Sequence, residues 1–179
     1  MDADITTTGT RVVYENNWMR VREDAIRRRD GSAGIYGVVE KPDFVVVAPV
    51  GAGLIHLVEQ YRYPVRGRYW ELPQGTSPGL DADPEAAARA ELAEETGLRA
   101  ASMLKAGYLF QAYGYAAQGC HVFLASGLTP GAPSLEHEEQ DLVARAFTLA
   151  EAEAMLCDGT IRDAATVAAF GLLRLRGLL

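Results

Sequence analysis

Apolar and polar positions alternate in short runs through the first part of the chain, which is the pattern of β-strands with one buried face. Strands are predicted within residues 11–28, 35–40, 44–50 and 54–63. Asp30 and Gly31 give a turn signal after the first of these segments, and the glycines at 51 and 53 give one between the last two. The chain is therefore expected to open with strand, turn and strand, followed by a hairpin.

A helix is predicted to start at about Pro84, because both of its ends carry signals. Asp83 suits the N-cap, Pro84 suits the first helical position, and Gly97 suits the left-handed residue that ends a helix. Further strands are predicted at 102–111, 120–126 and 142–149, and helical spacing returns at 148–159 and 161–179. This order of strands, helix, strands and helix predicts an α+β protein.

Composition and charge narrow the range of functions. The chain has 179 residues, a net charge of −7 and a pI near 5.0, so a nonspecific nucleic-acid-binding role is not expected. The N-terminus lacks the pattern of a signal peptide, and the apolar runs are broken before they reach membrane-spanning length. Cys120 and Cys157 are too few and too far apart for a disulfide scaffold. We therefore expect a cytoplasmic protein that binds neither nucleic acid nor membrane.

Three glutamates crowd one face of the predicted helix. Glu91, Glu94 and Glu95 stand at positions i, i+3 and i+4, which places their carboxylates side by side. Like charges at this spacing destabilise a helix by a few tenths of a kcal/mol, whereas a hard divalent cation such as Mg²⁺ turns the same crowding into a ligand set. A solvated acidic face shows the same pattern, so the cluster alone leaves both interpretations open.

The context of the cluster resembles the Nudix hydrolases. Their signature is a glycine, a loop, a glutamate, and then Arg-Glu-apolar-x-Glu-Glu-x-Gly-apolar on a helix, which Gly75 and residues 91–98 match. Two features depart from it: Ala90 replaces the arginine, and the loop is one residue longer, so that Asp81 or Ala82 stands where a glutamate is expected.

The resemblance extends along the chain to the ADP-ribose pyrophosphatase branch, through the stretches VYENNWMRVRED, GIYGVVEKPD, LVEQYRYPV and WELPQG. It implies a Nudix α/β/α sandwich with a mixed β-sheet over residues 43–179. It also implies an N-terminal antiparallel β segment over residues 1–42 that helps to form a homodimer.

The resemblance assigns roles to the acidic residues. Glu91 and Glu95 become the leading ligands of Mg²⁺, with Mn²⁺ as the alternative ion, and Glu94 becomes a further ligand or a water-positioning group. The carbonyl of Gln74 is the expected backbone ligand. The general base is expected in a late acidic loop that contains Glu136, Glu138 and Glu139, where counting back from the next strand favours Glu138; an exposed acidic loop without chemistry is the alternative.

The missing arginine raises a separate question. Arg89 lies about 100° round the helix from position 90 and is better placed for an i, i+4 pair with Glu85. Either an arginine outside the signature orients Glu91, or turnover is slow.

The substrate contacts are predicted from the basic and aromatic residues near the signature. Arg62, Arg66 and Arg68 are candidate contacts to phosphate or ribose. Glu71 is a candidate acceptor for an amino group or a ribose hydroxyl, or else the partner of a neighbouring arginine.

Aromatic residues offer a second kind of contact. Trp70, Tyr69 and Tyr113 are candidates to stack a nucleobase, although such residues equally serve as core. Gln118 stands where members of this branch tend to have a glutamate, which indicates that substrate specificity differs.

These features predict a Mg²⁺-dependent pyrophosphohydrolase that cleaves ADP-ribose or a related nucleotide sugar into two phosphomonoesters. One alternative is a hydrolase of another nucleoside diphosphate compound, such as GDP-mannose or a dinucleotide. The other is a catalytically silent Nudix domain that binds a nucleotide: Ala90, the longer loop and Gln118 favour it, and the intact glutamates oppose it.

Overall fold

The computed structural model describes residues 4–76, 83–132, 134 and 140–179. The strands within them are β1 Ile5–Glu15, β2 Arg20–Arg28, β3 Ala33–Glu40, β4 Phe44–Gly51, β5 Leu54–Arg62, β6 Gly67–Glu71, β7 Gln74–Thr76, β8 Leu98–Phe110, β9 Gly119–Pro130 and β10 Val143–Thr148. The helices are α1 Pro84–Thr96, α2 Leu149–Cys157 and α3 Ala164–Leu175, with a short 3₁₀ helix at Tyr63–Val65.

The chain divides into two compact units. The first contains the residues up to Asp43 together with Phe110–Gly119, and the second contains Phe44–Leu109 and Cys120–Leu179. The first unit is an antiparallel sheet in the order β1, β2, β3. Within this unit, Val39 N–H donates to the carbonyl of Tyr115 at 2.8 Å.

The alternating segment 11–28 is divided by a tight turn. Asn16 Oδ1 accepts hydrogen bonds from the backbone N–H groups of Trp18 at 2.9 Å and Met19 at 2.8 Å. This side chain replaces the ladder partners that the two strands give up at the turn. The first unit thus has three strands where the alternation predicted two, while the turn expected at Gly31 is present with a φ of +83°.

The second unit is built on a mixed sheet in the order β10, β5, β4, β9, β8, with β6 paired to β5 and β7 paired to β4. The pairing of β4 with β9 is parallel, and β4 and β5 form the predicted antiparallel hairpin. The strands expected from sequence at 102–111, 120–126 and 142–149 correspond to β8, β9 and β10.

Strand β4 is apolar throughout because both of its faces are covered. Val46 and Ala48 belong to a core cluster that contains residues of α2 and α3. Val45 and Val47 belong to a second cluster, which contains Ala88 and Leu92 of α1. A sheet with helices on both faces is the predicted α/β/α sandwich, and this expectation is confirmed.

Helix α1 begins and ends as predicted. Asp83 caps it by accepting from the N–H of Glu85 at 3.0 Å, and Gly97 ends it with a φ of +70°. No helix within the described parts of the chain is long and apolar enough to cross a membrane.

Candidate active site

Glu95 of α1 is fixed to the segment that precedes the helix. Val47 N–H donates to the Pro73 carbonyl at 2.9 Å, and the next facing pair is Val46 and Gln74. Hydrogen-bonded and non-hydrogen-bonded pairs alternate along an antiparallel ladder, so Val46 and Gln74 form a non-hydrogen-bonded pair. The N–H and C=O of Gln74 therefore point away from β4. Its N–H donates to Glu95 Oε2 at 3.1 Å, and the Glu95 side chain is only 1% exposed.

Glu91 lies one helical turn before Glu95 and packs against Gly75. A Cβ at position 75 would overlap all three carboxyl atoms of Glu91. Glycine is therefore required by the space that this carboxylate occupies, and this is a close approach rather than a demand for an unusual φ. The backbone of β7 and the acidic face of α1 are thus in direct contact.

The donors gathered here fit a hard divalent cation. Glu91 and Glu95 offer carboxylates, Glu94 of the same helix is half-buried, and the carbonyl of Gln74 shares the direction of its N–H. Such oxygen ligands, completed by water, are the set that Mg²⁺ prefers. Among the described residues, no three Asp, Glu, His or Cys side chains are close enough together to hold a metal ion as they are. The side chains proposed as ligands would therefore have to move towards a bound ion.

Behind this segment, Glu71 is buried with compensating donors. It is 2% exposed and accepts from Gln60 Nε2 at 3.0 Å and from the guanidinium of Arg62. Burial raises the pKa of the Glu71 carboxyl, the nearby Asp163 acts in the same direction, and Arg62 opposes the rise. Arg62 keeps about two-fifths of its side chain exposed, so it joins the buried carboxylate to the surface.

Comparison with known protein families decides the assignment. Residues 5–39 match the family described as the nucleoside diphosphate sugar hydrolase N-terminal domain, and residues 41–170 match the NUDIX domain. The chain belongs to the Nudix hydrolase family. The expected family and enzyme class are thereby confirmed, and α1 is the Nudix helix.

Individual relatives agree with this assignment. The chain is 32% identical over 167 residues to an ADP-ribose pyrophosphatase of Mycobacterium tuberculosis (strain ATCC 25618 / H37Rv), covering 92% of this chain and 81% of that one. It is 32% identical over 149 residues to an ADP-ribose pyrophosphatase of Bacillus subtilis (strain 168), covering 82% and 80%. It is 29% identical over 174 residues to the methanol dehydrogenase activator of Bacillus methanolicus, covering 95% and 92%.

A solved structure supports the fold. The crystal structure of an ADP compounds hydrolase superposes with a TM-score of 0.87, over 99% of this chain and 98% of that one. The two sequences are 20% identical, so this likeness concerns the fold alone.

The three arginines predicted as substrate contacts differ in how far other protein groups already bind them. Arg62 is held on Glu71, which is the arginine pairing that the sequence left open for that glutamate. Arg68 donates to Glu59 at 3.0 Å and to the carboxylate and carbonyl of Asp141, which ties β5 and β6 to the residue two before β10. Arg66 is exposed, in the left-handed conformation with a φ of +50°.

The predicted aromatic contacts are also dispersed. Trp70 packs edge-to-face on Phe147, with ring centroids 4.9 Å apart, at the border of the core. Tyr69 faces the guanidinium of Arg162 at 5.8 Å from its ring centroid. Tyr113 belongs to the first unit, where it is 83% exposed.

Two further predictions concern the general base and Arg89. The predicted base Glu138 and its neighbours Glu136 and Glu139 lie outside the described residues. Arg89 pairs with Glu85 at 2.9 Å, as its spacing predicted, and it also donates to the Ala100 carbonyl.

Sequence reasoning missed the polar residues that support the site from α3. Asp163 accepts from Gln74 Nε2 at 3.3 Å, and Thr166 accepts from the N–H of Leu72 at 2.9 Å. An aspartate directly before the apolar helical run of α3 is an N-cap signal. This pattern identifies Asp163 as the N-cap of α3. Its contact with Gln74, 89 positions earlier in the chain, cannot be predicted from the neighbouring sequence.

Proposed function

We propose that this chain is a Mg²⁺-dependent pyrophosphohydrolase that cleaves the diphosphate of ADP-ribose or a related nucleotide sugar into two phosphomonoesters. The observation that carries the proposal is the junction of β7 with the Nudix helix, where Gln74 N–H holds Glu95 and Gly75 makes room for Glu91. The names of the two ADP-ribose pyrophosphatase relatives support the substrate.

In this proposal Glu91, Glu95 and the Gln74 carbonyl hold the cation, with Glu94 as a further ligand or a group that orients water. When bound, the ion, Mg²⁺ or in its place Mn²⁺, neutralises charge on the diphosphate oxygens and lowers the pKa of bound water. Arg62 is proposed to contact phosphate with the exposed part of its side chain while it keeps its ion pair with Glu71; its partial exposure supports this role.

Several roles stay as predictions. Arg66, Arg68, Trp70, Glu71 and Tyr113 are candidate substrate contacts. Because Glu59 and Asp141 already engage Arg68, and Gln60 and Arg62 already engage Glu71, Arg66 and Tyr113 have the greater freedom to meet a ligand.

The general base is predicted at Glu138, with Glu139 as its neighbouring alternative. The variants Glu138→Gln and Glu139→Gln separate the two, since replacing the base lowers turnover at neutral pH by about a hundred-fold or more. A near-normal rate for both variants would exclude this loop from the chemistry.

A substrate panel tests the proposed reaction. ADP-ribose, ADP-glucose, GDP-mannose and a dinucleotide are each incubated with Mg²⁺, with Mn²⁺ and with chelator, and the phosphomonoesters are detected by phosphatase-coupled phosphate release. We expect metal-stimulated hydrolysis with ADP-ribose among the best substrates. A preference for GDP-mannose or a dinucleotide would instead support the alternative hydrolase.

A regulatory role is the second candidate function, because one relative of nearly the same length is named as an activator of another enzyme. It predicts that nucleotides bind, as measured by calorimetry, while none of the panel is hydrolysed with any metal. That result would replace the hydrolase proposal with a silent nucleotide-binding domain.

We further propose a cytoplasmic homodimer in which the N-terminal segment contributes to the contact. Strand β1 is exposed along its whole length within one chain, and Val12, Val13 and Tyr14 are each about half exposed. Apolar strand surface of this kind favours a partner. A monomer by light scattering at micromolar concentration would overturn the dimer, and cell fractionation checks the location.

A further inference from the structure

The first turn of α3 is fastened to the segment that carries Gln74. Asp163 is the N-cap of α3, and its Oδ2 accepts from Thr166 N–H at 2.8 Å and from Thr166 Oγ1 at 2.7 Å. The same oxygen accepts from Gln74 Nε2 at 3.3 Å. One carboxylate therefore serves both helix α3 and the first residue of strand β7.

A second bond runs in parallel with the first. Thr166 is completely buried, and its Oγ1 accepts from the N–H of Leu72 at 2.9 Å. Leu72 bonds to the Thr166 hydroxyl, and Gln74, two residues later, bonds to Asp163 Oδ2. These two groups at the start of α3 are themselves hydrogen-bonded to each other. Such a chain of hydrogen bonds in a poorly solvated place restricts motion more than isolated bonds do.

A simple helix cap does not need this arrangement. Capping α3 requires only that the residue at 163 accept from Thr166 N–H, which serine or asparagine does as well. The additional bond leads to Gln74, whose main-chain N–H holds Glu95 and whose carbonyl points in the same direction. Asp163 therefore stands two hydrogen bonds away from the buried Nudix glutamate.

We propose that Asp163 is a positioning residue of the metal centre: by holding the Gln74 side chain, it fixes the Gln74 main chain and, through it, the Glu95 carboxylate. This inference rests on the proposed metal-dependent function. Outer partners of metal ligands of this kind typically change metal affinity by about 10- to 100-fold when they are removed.

Two variants break the proposed link from opposite ends. Asp163→Ser retains an N-cap for α3 but is too short to reach Gln74. Gln74→Leu removes the donor, together with the hydrogen bond from the Gln74 side chain to Glu71, while keeping Asp163 as the cap. Thr148→Ser, at the N-cap of α2, is the matched control, because it alters a helix cap of this unit outside the proposed metal centre.

The measurement is the binding of Mn²⁺ to the full chain without substrate, followed by the electron paramagnetic resonance signal of the free ion. We expect the Kd to rise by about tenfold or more in Asp163→Ser and in Gln74→Leu. The double variant should match Gln74→Leu, because the bond between residues 74 and 163 is already lost in that variant. The control should bind Mn²⁺ as the wild type does. Thermal unfolding in chelator identifies folded variants and reports any purely structural role.

The outcomes separate the two proposals. If the wild type binds Mn²⁺ and folded Gln74→Leu and Asp163→Ser bind it within twofold of the wild-type Kd, the positioning role is wrong while the proposed function stands. If Asp163→Ser does not fold, Gln74→Leu decides alone. If the wild type itself binds no Mn²⁺, the metal-dependent function fails and this inference fails with it.

Discussion

The Nudix helix is fixed differently along its two sides. On the side of Gln74, Glu95 is buried and bonded to a main-chain N–H, and Gly75 lies against Glu91. On the side of Ala90 the helix is exposed, the signature arginine is absent, and Arg89 is directed to Glu85.

The comparison shows which kind of contact holds the site. Glu95 is bonded to a main-chain N–H, which every residue except proline could offer at position 74, whereas orientation by an arginine side chain is lost in one substitution. In the proposal above, the Gln74 side chain sets where that N–H lies. The chain departs from the family signature on the side of the helix that is solvated and matches it at Gly75, Glu91 and Glu95 on the other side.

The largest effect is expected on the buried side, from Glu95→Gln. The substitution keeps the shape but removes the charge that the proposed cation would need, so turnover should fall by at least about a hundred-fold, the upper end of what outer partners of metal ligands cause. Steady-state hydrolysis of ADP-ribose at saturating Mg²⁺ measures it.

The matched control is Glu85→Gln on the same helix. Glu85 pairs only at the surface with Arg89, and such pairs contribute about 1 kcal/mol or less. Its turnover should stay near the wild-type value. Glu95→Gln retaining a tenth of wild-type turnover would remove Glu95 from the metal centre.

Gly75→Ala tests the contact between β7 and the helix. The added methyl group meets the Glu91 carboxylate, so either the strand or the glutamate moves, at a cost of about 1 to 3 kcal/mol in unfolding free energy. We also expect turnover to fall by about tenfold or more if Glu91 is the proposed metal ligand, because misplacing such a group by about 1 Å is costly.

Urea unfolding and turnover are compared with Gly37→Ala, a strand glycine of β3 that has nothing within 4 Å of the added Cβ. That control should be as stable and as active as the wild type. If Gly75→Ala were as stable and as active as Gly37→Ala, the contact between Gly75 and Glu91 would not be needed for stability or activity.

These two regions also show what the sequence can predict. The start and end of α1 followed from single residues, Asp83 and Gly97, because capping is a contact between neighbours in the chain. The α/β/α arrangement followed from the family resemblance, and the order of elements agreed with it. The turn at Asn16 was missed although its signal, an asparagine that bonds two residues ahead, is local.

The support of the site was beyond reach for a physical reason. The bonds from Gln74 to Asp163 and from Leu72 to Thr166 join residues about 90 positions apart, and no spacing rule connects them. The burial of Glu71 was likewise unpredicted, since it depends on which face of β6 the sheet covers.

Restoring the signature arginine with Ala90→Arg should have a small effect. Position 90 is exposed, and an ion pair on a helix surface contributes only about 0.2 to 0.5 kcal/mol, so turnover should rise by less than about threefold. The same Mg²⁺-dependent assay and the Mn²⁺ titration measure turnover and metal affinity. A rise of tenfold in either would show that the missing arginine limits this enzyme.

The smallest effect is expected from Glu71→Gln, in the pH dependence of stability. Burial raises the pKa of Glu71 above its ordinary value of 4.5, so the folded state binds this proton more tightly than the unfolded state does. The contribution of Glu71 to stability is therefore complete below pH 4.5 and is lost as pH rises through the elevated pKa. Glutamine has no such proton, and the variant should become more stable relative to the wild type as pH is raised from 4 to 7.

Urea unfolding at several pH values measures this difference, with Glu85→Gln as the control for removing one negative charge. The pairing of Glu71 with Arg62 opposes the effect of burial, which is why the change should be smaller than those above. A relative stability that falls over this range would mean that the pairing outweighs burial, and that the inner carboxylate stabilises the fold as an ion.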